Sequence, residues 1–197
     1  PGGTVWGVAV SGDGAWTSVA SEDRNLYLLD ANGEEVWRYR SSRIFLSTAI
    51  SQDGSRVAGM DEARDLYYFD RESNEPLWTT ALQNIADSIA IYGASAIRPV
   101  TGSRDSQVHL YSPDGRRLWR AQLADEITSV AVSSSGAYVV AGSLDGRLTL
   151  INGANAEVLW QQNLPNPVSC NSRQRRICLN VEISGDGTRT LLGTLNG

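Results

Sequence analysis

The sequence predicts an all-β chain built from repeated four-stranded antiparallel sheets, and three observations predict it. Trp37, Trp78, Trp119 and Trp160 recur at intervals of 41 residues, each preceded by an aliphatic residue (Val36, Leu77, Leu118, Leu159). A second marker reads VAVSGDG at 8–14, TAISQDG at 48–54, IAIYGAS at 89–95, VAVSSSG at 130–136 and VEISGDG at 181–187. A third marker is a short polar turn running into apolar residues: SEDRNLYLLD at 21–30, DEARDLYYFD at 61–70, SRDSQVHLYS at 103–112 and SLDGRLTLIN at 143–152.

The elements follow in order. In the first unit the expected strands are Val5–Ser11, Trp16–Ser21, Asn25–Asp30 and Glu35–Arg40. SGDG separates the first two, and its residues tolerate positive φ. DANG separates the last two, with SPDG at 112–115 and NGAN at 152–155 as counterparts. Val8 with Val10, Thr48 with Ile50, Val130 with Val132 and Val181 with Ile183 alternate as strand residues facing one way. No stretch carries a capped 3.6-residue period, so no helix is expected. One four-stranded sheet cannot cover both its faces. Sheets stacked radially about an axis can, and a repeat of about 40–45 residues with four strands is the signature of a β-propeller blade. The recurring tryptophans suit a large side chain wedged between neighbouring blades. The expected layout is a single β-propeller domain over 1–197, with blades at about 4–41, 42–82, 83–123 and 124–163, an insertion at 164–179 and a half blade at 180–197.

The pattern breaks twice. The fifth unit holds a first strand (Asn180–Ser184), a second (Thr188–Gly193) and TLNG, which matches the turn SLDG at 143–146. About 4.5 blades make an incomplete or open ring, because closed propellers of this kind use about six to eight blades, or about 250–330 residues. Three readings stand: a segment of a longer propeller, a small ring of four or five blades, or closure through a partner copy. The first residue is Pro1 and the sole methionine is Met60, which fits a cleaved or partial product. An unpaired blade edge is a template for another chain. The second break is the insertion, since VAVSSSG and VEISGDG lie 51 residues apart. It carries both cysteines, Cys170 and Cys178, which read as a disulfide and hence an oxidising compartment; the alternative is two free thiols. Arg173, Arg175 and Arg176 in the same loop are candidate contacts for an acidic partner, or else a solvated charged loop.

Composition narrows the chemistry. All 17 basic residues are Arg, which excludes a lysine nucleophile, a Schiff base or a phosphate-loop lysine. The one histidine, His109, cannot build a histidine metal cluster, and its place in QVHLYS points outward or into a seam between blades. Asp-Gly pairs are explained by hairpin turns and lack the ligand spacing of calcium loops. Arg38, Arg40 and Arg43 read as charge decorating a strand edge. A net charge of −5 argues against a nucleic-acid partner, and no run of 18 apolar residues marks a membrane helix. No catalytic residue, cofactor or metal site is expected.

Residues 130–160, VAVSSSGAYVVAGSLDGRLTLINGANAEVLW, show the pattern best, and they resemble PQQ-like and WD-like propeller repeats of bacterial and archaeal surface and periplasmic proteins. The Gly-His and Trp-Asp dipeptides of strict WD repeats are missing, so the resemblance is closer to the PQQ-like branch. It covers nearly the whole chain, is fairly specific for the fold and is nearly silent on function. PQQ-dependent dehydrogenases are similar only in blade pattern; their adjacent-cysteine disulfide has no counterpart, and this chain is far shorter. The expected function is a non-enzymatic interaction or structural scaffold of an exported or surface protein: extracellular, cell-surface or periplasmic. The alternative is a self-assembling subunit of a filament, sheath or surface layer joined through open blade edges. A quinoprotein-like or carbohydrate-active enzyme is the third reading. The expected partner is a protein or a second copy of the chain.

Overall fold

Alternation and turn chemistry are local signals, and the chain obeys them strand by strand in a computed structural model that describes residues 1–93, 97–164 and 179–194. Blade 1 comprises β1 (Val5–Val10), β2 (Trp16–Ser21), β3 (Asn25–Asp30) and β4 (Glu35–Arg40). Blade 2 comprises β5 (Phe45–Ile50), β6 (Arg56–Asp61), β7 (Asp65–Asp70) and β8 (Pro76–Ala81). Blade 3 comprises β9 (Ala86–Tyr92), β10 (Arg98–Ser103), β11 (Gln107–Tyr111) and β12 (Arg117–Gln122). Blade 4 comprises β13 (Ile127–Val132), β14 (Tyr138–Ser143), β15 (Arg147–Asn152) and β16 (Val158–Asn163), and the half blade β17 (Leu179–Ile183) and β18 (Thr190–Thr194). Each blade is an antiparallel meander in sequence order. No helix occurs among the described residues.

Five boundaries differ from the expected strands: β1 ends at Val10, β17 runs Leu179–Ile183 and β18 runs Thr190–Thr194. Ser11 leaves β1 because its Oγ accepts the Trp16 N–H at 3.0 Å and donates to Asp13 at 2.6 Å, which makes it the first turn residue. The last strand starts at Thr190 because Thr188 and Arg189 spend their N–H groups on Asp186 and on Ser184 Oγ in the same kind of turn. Gly14, Gly54, Gly136 and Gly187 complete these turns at φ between 68° and 75°.

Each outer strand carries a bulge at one place. Leu28 pairs with Trp37 but Leu29 with Glu35, and the same shift recurs before Trp78, Trp119 and Trp160. The extra residue is the aliphatic neighbour, so Val36, Leu77, Leu118 and Leu159 are turned out, at 42–54% exposure.

The core lies between blades rather than within them. β1 packs on β5, β5 on β9, β9 on β13 and β13 on β17. Seam 1/2 holds Leu26, Leu28 and Trp37 against Phe45, Val57 and Phe69. Seam 2/3 holds Met60, Leu66 and Tyr68 against Ile89, Ile97 and Tyr111. Seam 3/4 holds Val100, Val108 and Leu110 against Ile127, Val139 and Ile151. Seam 4/5 is smaller, with Ala131, Val140 and Leu148 against Val181. Each large side chain buried this way contributes about 1.5–3 kcal/mol. The arc stays open: Val8 and Val10 on β1 are 57% and 56% exposed, whereas their counterparts Thr48 and Ile50 are buried.

Candidate functional site

The recurring tryptophans join successive blades. Trp37 Nε1 donates to the Arg71 carbonyl at 2.7 Å, Trp78 Nε1 to Pro113 at 2.8 Å and Trp119 Nε1 to Gly153 at 2.8 Å. Every acceptor lies in the turn before the outer strand of the next blade. The Cβ positions at Gly115 and Gly153 show how tight these turns are: one would meet Trp78 at 2.9 Å, the other the Gly136 carbonyl at 1.8 Å. Arg71 also stacks its guanidinium over Trp16 at 4.7 Å, which fixes the same turn from a second side. Trp160 has no such acceptor among the described residues, and it is 37% exposed where Trp37 is 8% exposed.

Among the described residues, two blade faces are therefore uncovered. On blade 1 the face holds Val8 and Val10, and Arg38 lies over the Tyr27 ring at 5.5 Å while pairing with Glu35 at 2.7 Å. Of the predicted edge cluster Arg38, Arg40 and Arg43, Arg38 thus lays its guanidinium over an aromatic face. On the half blade, Leu191 is 72% exposed and sits across from Glu182. Glu182 stands where the four complete blades have Ala9, Ala49, Ala90 and Ala131, the residues that pack against the following blade. An open cavity of about 400 Å³ lies here, lined by Glu182, Ile183, Ser184, Arg189, Thr190 and Leu191. Partial desolvation of the carboxyl at this face pushes Glu182 above its ordinary range.

The loops at the blade ends are held by aspartates. Ser184, then the Thr188 N–H and hydroxyl, donate to Asp186 and lower its pKa to about 2. Burial works against ionisation of Asp23, but hydrogen bonds from Tyr27, Gly2 and Asn25 win and hold it well below the usual range. These carboxylates are occupied by turn geometry. Among the described residues no three His, Cys, Asp or Glu side chains group as metal ligands. No described helix is long and apolar enough to cross a membrane.

Sequence reasoning missed two pieces of this framework. Arg104 clamps Asp87 through two bonds of 2.7 and 2.8 Å, with the Asp87 side chain 2% exposed at the inner-strand bulge of blade 3. The signal for the bulge was the period itself, since Trp6, Leu46, Asp87 and Thr128 occupy one register position. The second piece is a buried network around Asp61, which accepts from Ser41, Tyr67 and the Asp65 N–H. Cys170, Cys178, Arg173, Arg175 and Arg176 lie outside the described residues.

Four-stranded sheets stapled edge to turn around an axis define a β-propeller, and the solved structures agree. The β-propeller domain of Myceliophteria thermophila Cps50 (Swd1) matches with a TM-score of 0.79 over 98% of this chain and 63% of that one; at 13% identity this shows the fold alone. The family model described as outer membrane protein assembly factor BamB, of the PQQ-like repeat type, matches residues 2–103 and 104–187, so the chain belongs to that family. It is 25% identical over 170 residues to the outer membrane protein assembly factor BamB of Shewanella oneidensis, covering 74% of this chain and 41% of that protein. It is 23% identical over 158 residues to the BamB of Burkholderia pseudomallei, covering 79% of this chain and 38% of the relative. The chain thus spans about two fifths of the length of these relatives.

Proposed function

We propose that the chain is part of a non-enzymatic scaffold propeller, periplasmic or at the cell surface, that holds protein partners during outer-membrane protein assembly. The observation that carries this reading is the family match, which runs through all four blades and into the half blade. Both curated relatives are named for that assembly role. The geometry supports a scaffold: rigid sheets place loops at two ends, and exposed apolar positions such as Leu77, Leu118 and Leu191 offer material for protein contact. Complementation is the test. Exported to the periplasm of a Gram-negative strain lacking its own family member, the full gene product raises outer-membrane protein levels above the deletion baseline. A folded, exported product that leaves them at baseline contradicts the reading.

The insertion is proposed as a partner loop, with Cys170 and Cys178 bridged and Arg173, Arg175 and Arg176 meeting carboxylates. Thiol titration of the denatured protein finds no free thiol if the bridge exists, and two if it does not.

A second reading is self-association through the open blade edge, with the blade 1 faces of two copies meeting, and the exposure of Val8 and Val10 favours it. Light scattering then shows mass rising with concentration, and Val8→Arg abolishes the rise. A monomer across the concentration range removes this reading.

A further inference from the structure

Equivalent positions in the first three blades handle a buried polar group in different ways. The third residue of the third strand is Tyr27 in blade 1, Tyr67 in blade 2 and His109 in blade 3. Tyr27 donates to Asp23 at 2.5 Å, and Tyr67 donates to Asp61 at 3.0 Å. In blade 3 the pairing fails. His109 is 2% exposed, and its Nε2 lies 3.9 Å from Asp105 Oδ2, beyond hydrogen-bond reach. His109 Nδ1, Asp105 Oδ2 and Gln107 Oε1 are buried without a hydrogen-bond partner. Thr101 sits directly across from His109 in the β10–β11 ladder.

This cluster belongs to seam 2/3. Tyr111 alternates with His109 on one face of β11, and it packs with Met60, Leu66 and Tyr68 of blade 2. Val108 and Leu110, on the other face, pack against blade 4. The same seam is fastened elsewhere by Tyr68 donating to the Ile97 carbonyl and Trp78 to the Pro113 carbonyl, both at 2.8 Å. Buried groups without partners cost about 1–3 kcal/mol each, so the corner around His109 is the weakly held part of seam 2/3.

We propose that His109 is a proton-operated latch: the neutral imidazole keeps the corner of seam 2/3 closed, and protonation loosens it. The charged groups acting on the ring are Asp105 on its own turn and Arg117 and Arg120 on β12, Arg120 directly across the ladder from His109. Blade 2 contributes Met60, Leu66, Tyr68 and Leu82 to the seam core, none of them charged at neutral pH. Burial is the main influence and lowers the imidazole pKa; Asp105 opposes it, and the two arginines reinforce it. The unfolded chain takes up this proton near pH 6.5, about the ordinary value, before the folded protein does. Stability is therefore complete above that pH and falls as acid is added. One proton lowers the folded-to-unfolded ratio by up to about tenfold per pH unit.

His109 is the only histidine, so its ring resonance is assigned without ambiguity. The test is an NMR titration of that ring in the full chain, with denaturant midpoints and amide exchange between pH 7.5 and 5. The expected result is a native titration midpoint below 6.5, falling stability, and faster exchange in β10 and β11 than in seam 1/2. His109→Tyr, which restores the residue type of blades 1 and 2, makes stability flat over this window. Parallel losses in the wild type and His109→Tyr overturn the proposal, as does a ring that titrates at or above 6.5. If His109→Tyr does not fold, His109→Gln supplies the same comparison, and the ring titration stands by itself.

Discussion

The indole of Trp78 stacks on Tyr68 at a centroid distance of 4.9 Å and sends its N–H to Pro113 in the next blade. Phenylalanine keeps much of the stack and loses the bond, so Trp78→Phe costs about 1 kcal/mol in urea unfolding. Trp119→Phe behaves alike, because its N–H also crosses a seam. Trp160→Phe changes stability by less than about 0.5 kcal/mol, as expected of a part-exposed side chain with no indole acceptor among the described residues. Gly153 is a stricter site. A Cβ there would lie 1.8 Å from the Gly136 carbonyl oxygen, a backbone atom that cannot swing aside. Gly153→Ala must push two turns apart, and it costs at least about 2 kcal/mol, in the range of overpacked sites.

At the scale of the element, the turn between second and third strands repeats four times with one demanding position. Arg24, Arg64 and Ser106 adopt φ of 73°, 76° and 65° there, and Gly146 adopts 77°. A left-handed residue other than glycine costs about 1–2 kcal/mol, partly offset in glycine by its greater unfolded-state entropy. Ser106→Gly accordingly raises stability by about 0.5 kcal/mol, read as a shift in denaturant midpoint. Gly146 was the sequence clue to this conformation, but three of four units hide it. Strands were far more legible: β2, β3 and β4 cover the residues that alternation and turn chemistry predict, because both signals are local. Seams were less so. The tryptophan period announces a wedge, but its acceptors are main-chain carbonyls, which no side chain marks. The aspartate of the turn that faces the third-strand Tyr or His also moves, from the third position at Asp23 and Asp105 to the first at Asp61, and so it escapes a repeat alignment. Alternation leaves His109 facing solvent or a seam; its burial, with Tyr111 of the same strand face packed against blade 2, decides for the seam. Function was scarcely legible, since a blade pattern built for packing carries no mark of what its loops hold.

For the molecule as a whole, the same register positions are buried inside the arc and exposed where a neighbour is missing. Val8 is 57% exposed, and its counterparts Thr48, Ile89, Val130 and Val181 are each at or below 7%. Outer strand β16 is exposed along its length, whereas β4 buries Trp37 under blade 2. Glu182 in the alanine position makes the outer face of the half blade unlike any interior seam. A second copy docking blade 1 there would set valines against a carboxylate, a poor match for head-to-tail assembly. The account therefore rests on an arc whose two end faces stand apart. Spin labels at Val8→Cys and Leu191→Cys, in a Cys170→Ser/Cys178→Ser background, measure that separation by pulsed electron resonance. Packed sheets lie about 10 Å apart. An open arc gives a distance distribution well beyond that spacing, whereas a peak close to it means that the end faces touch and the ring is closed.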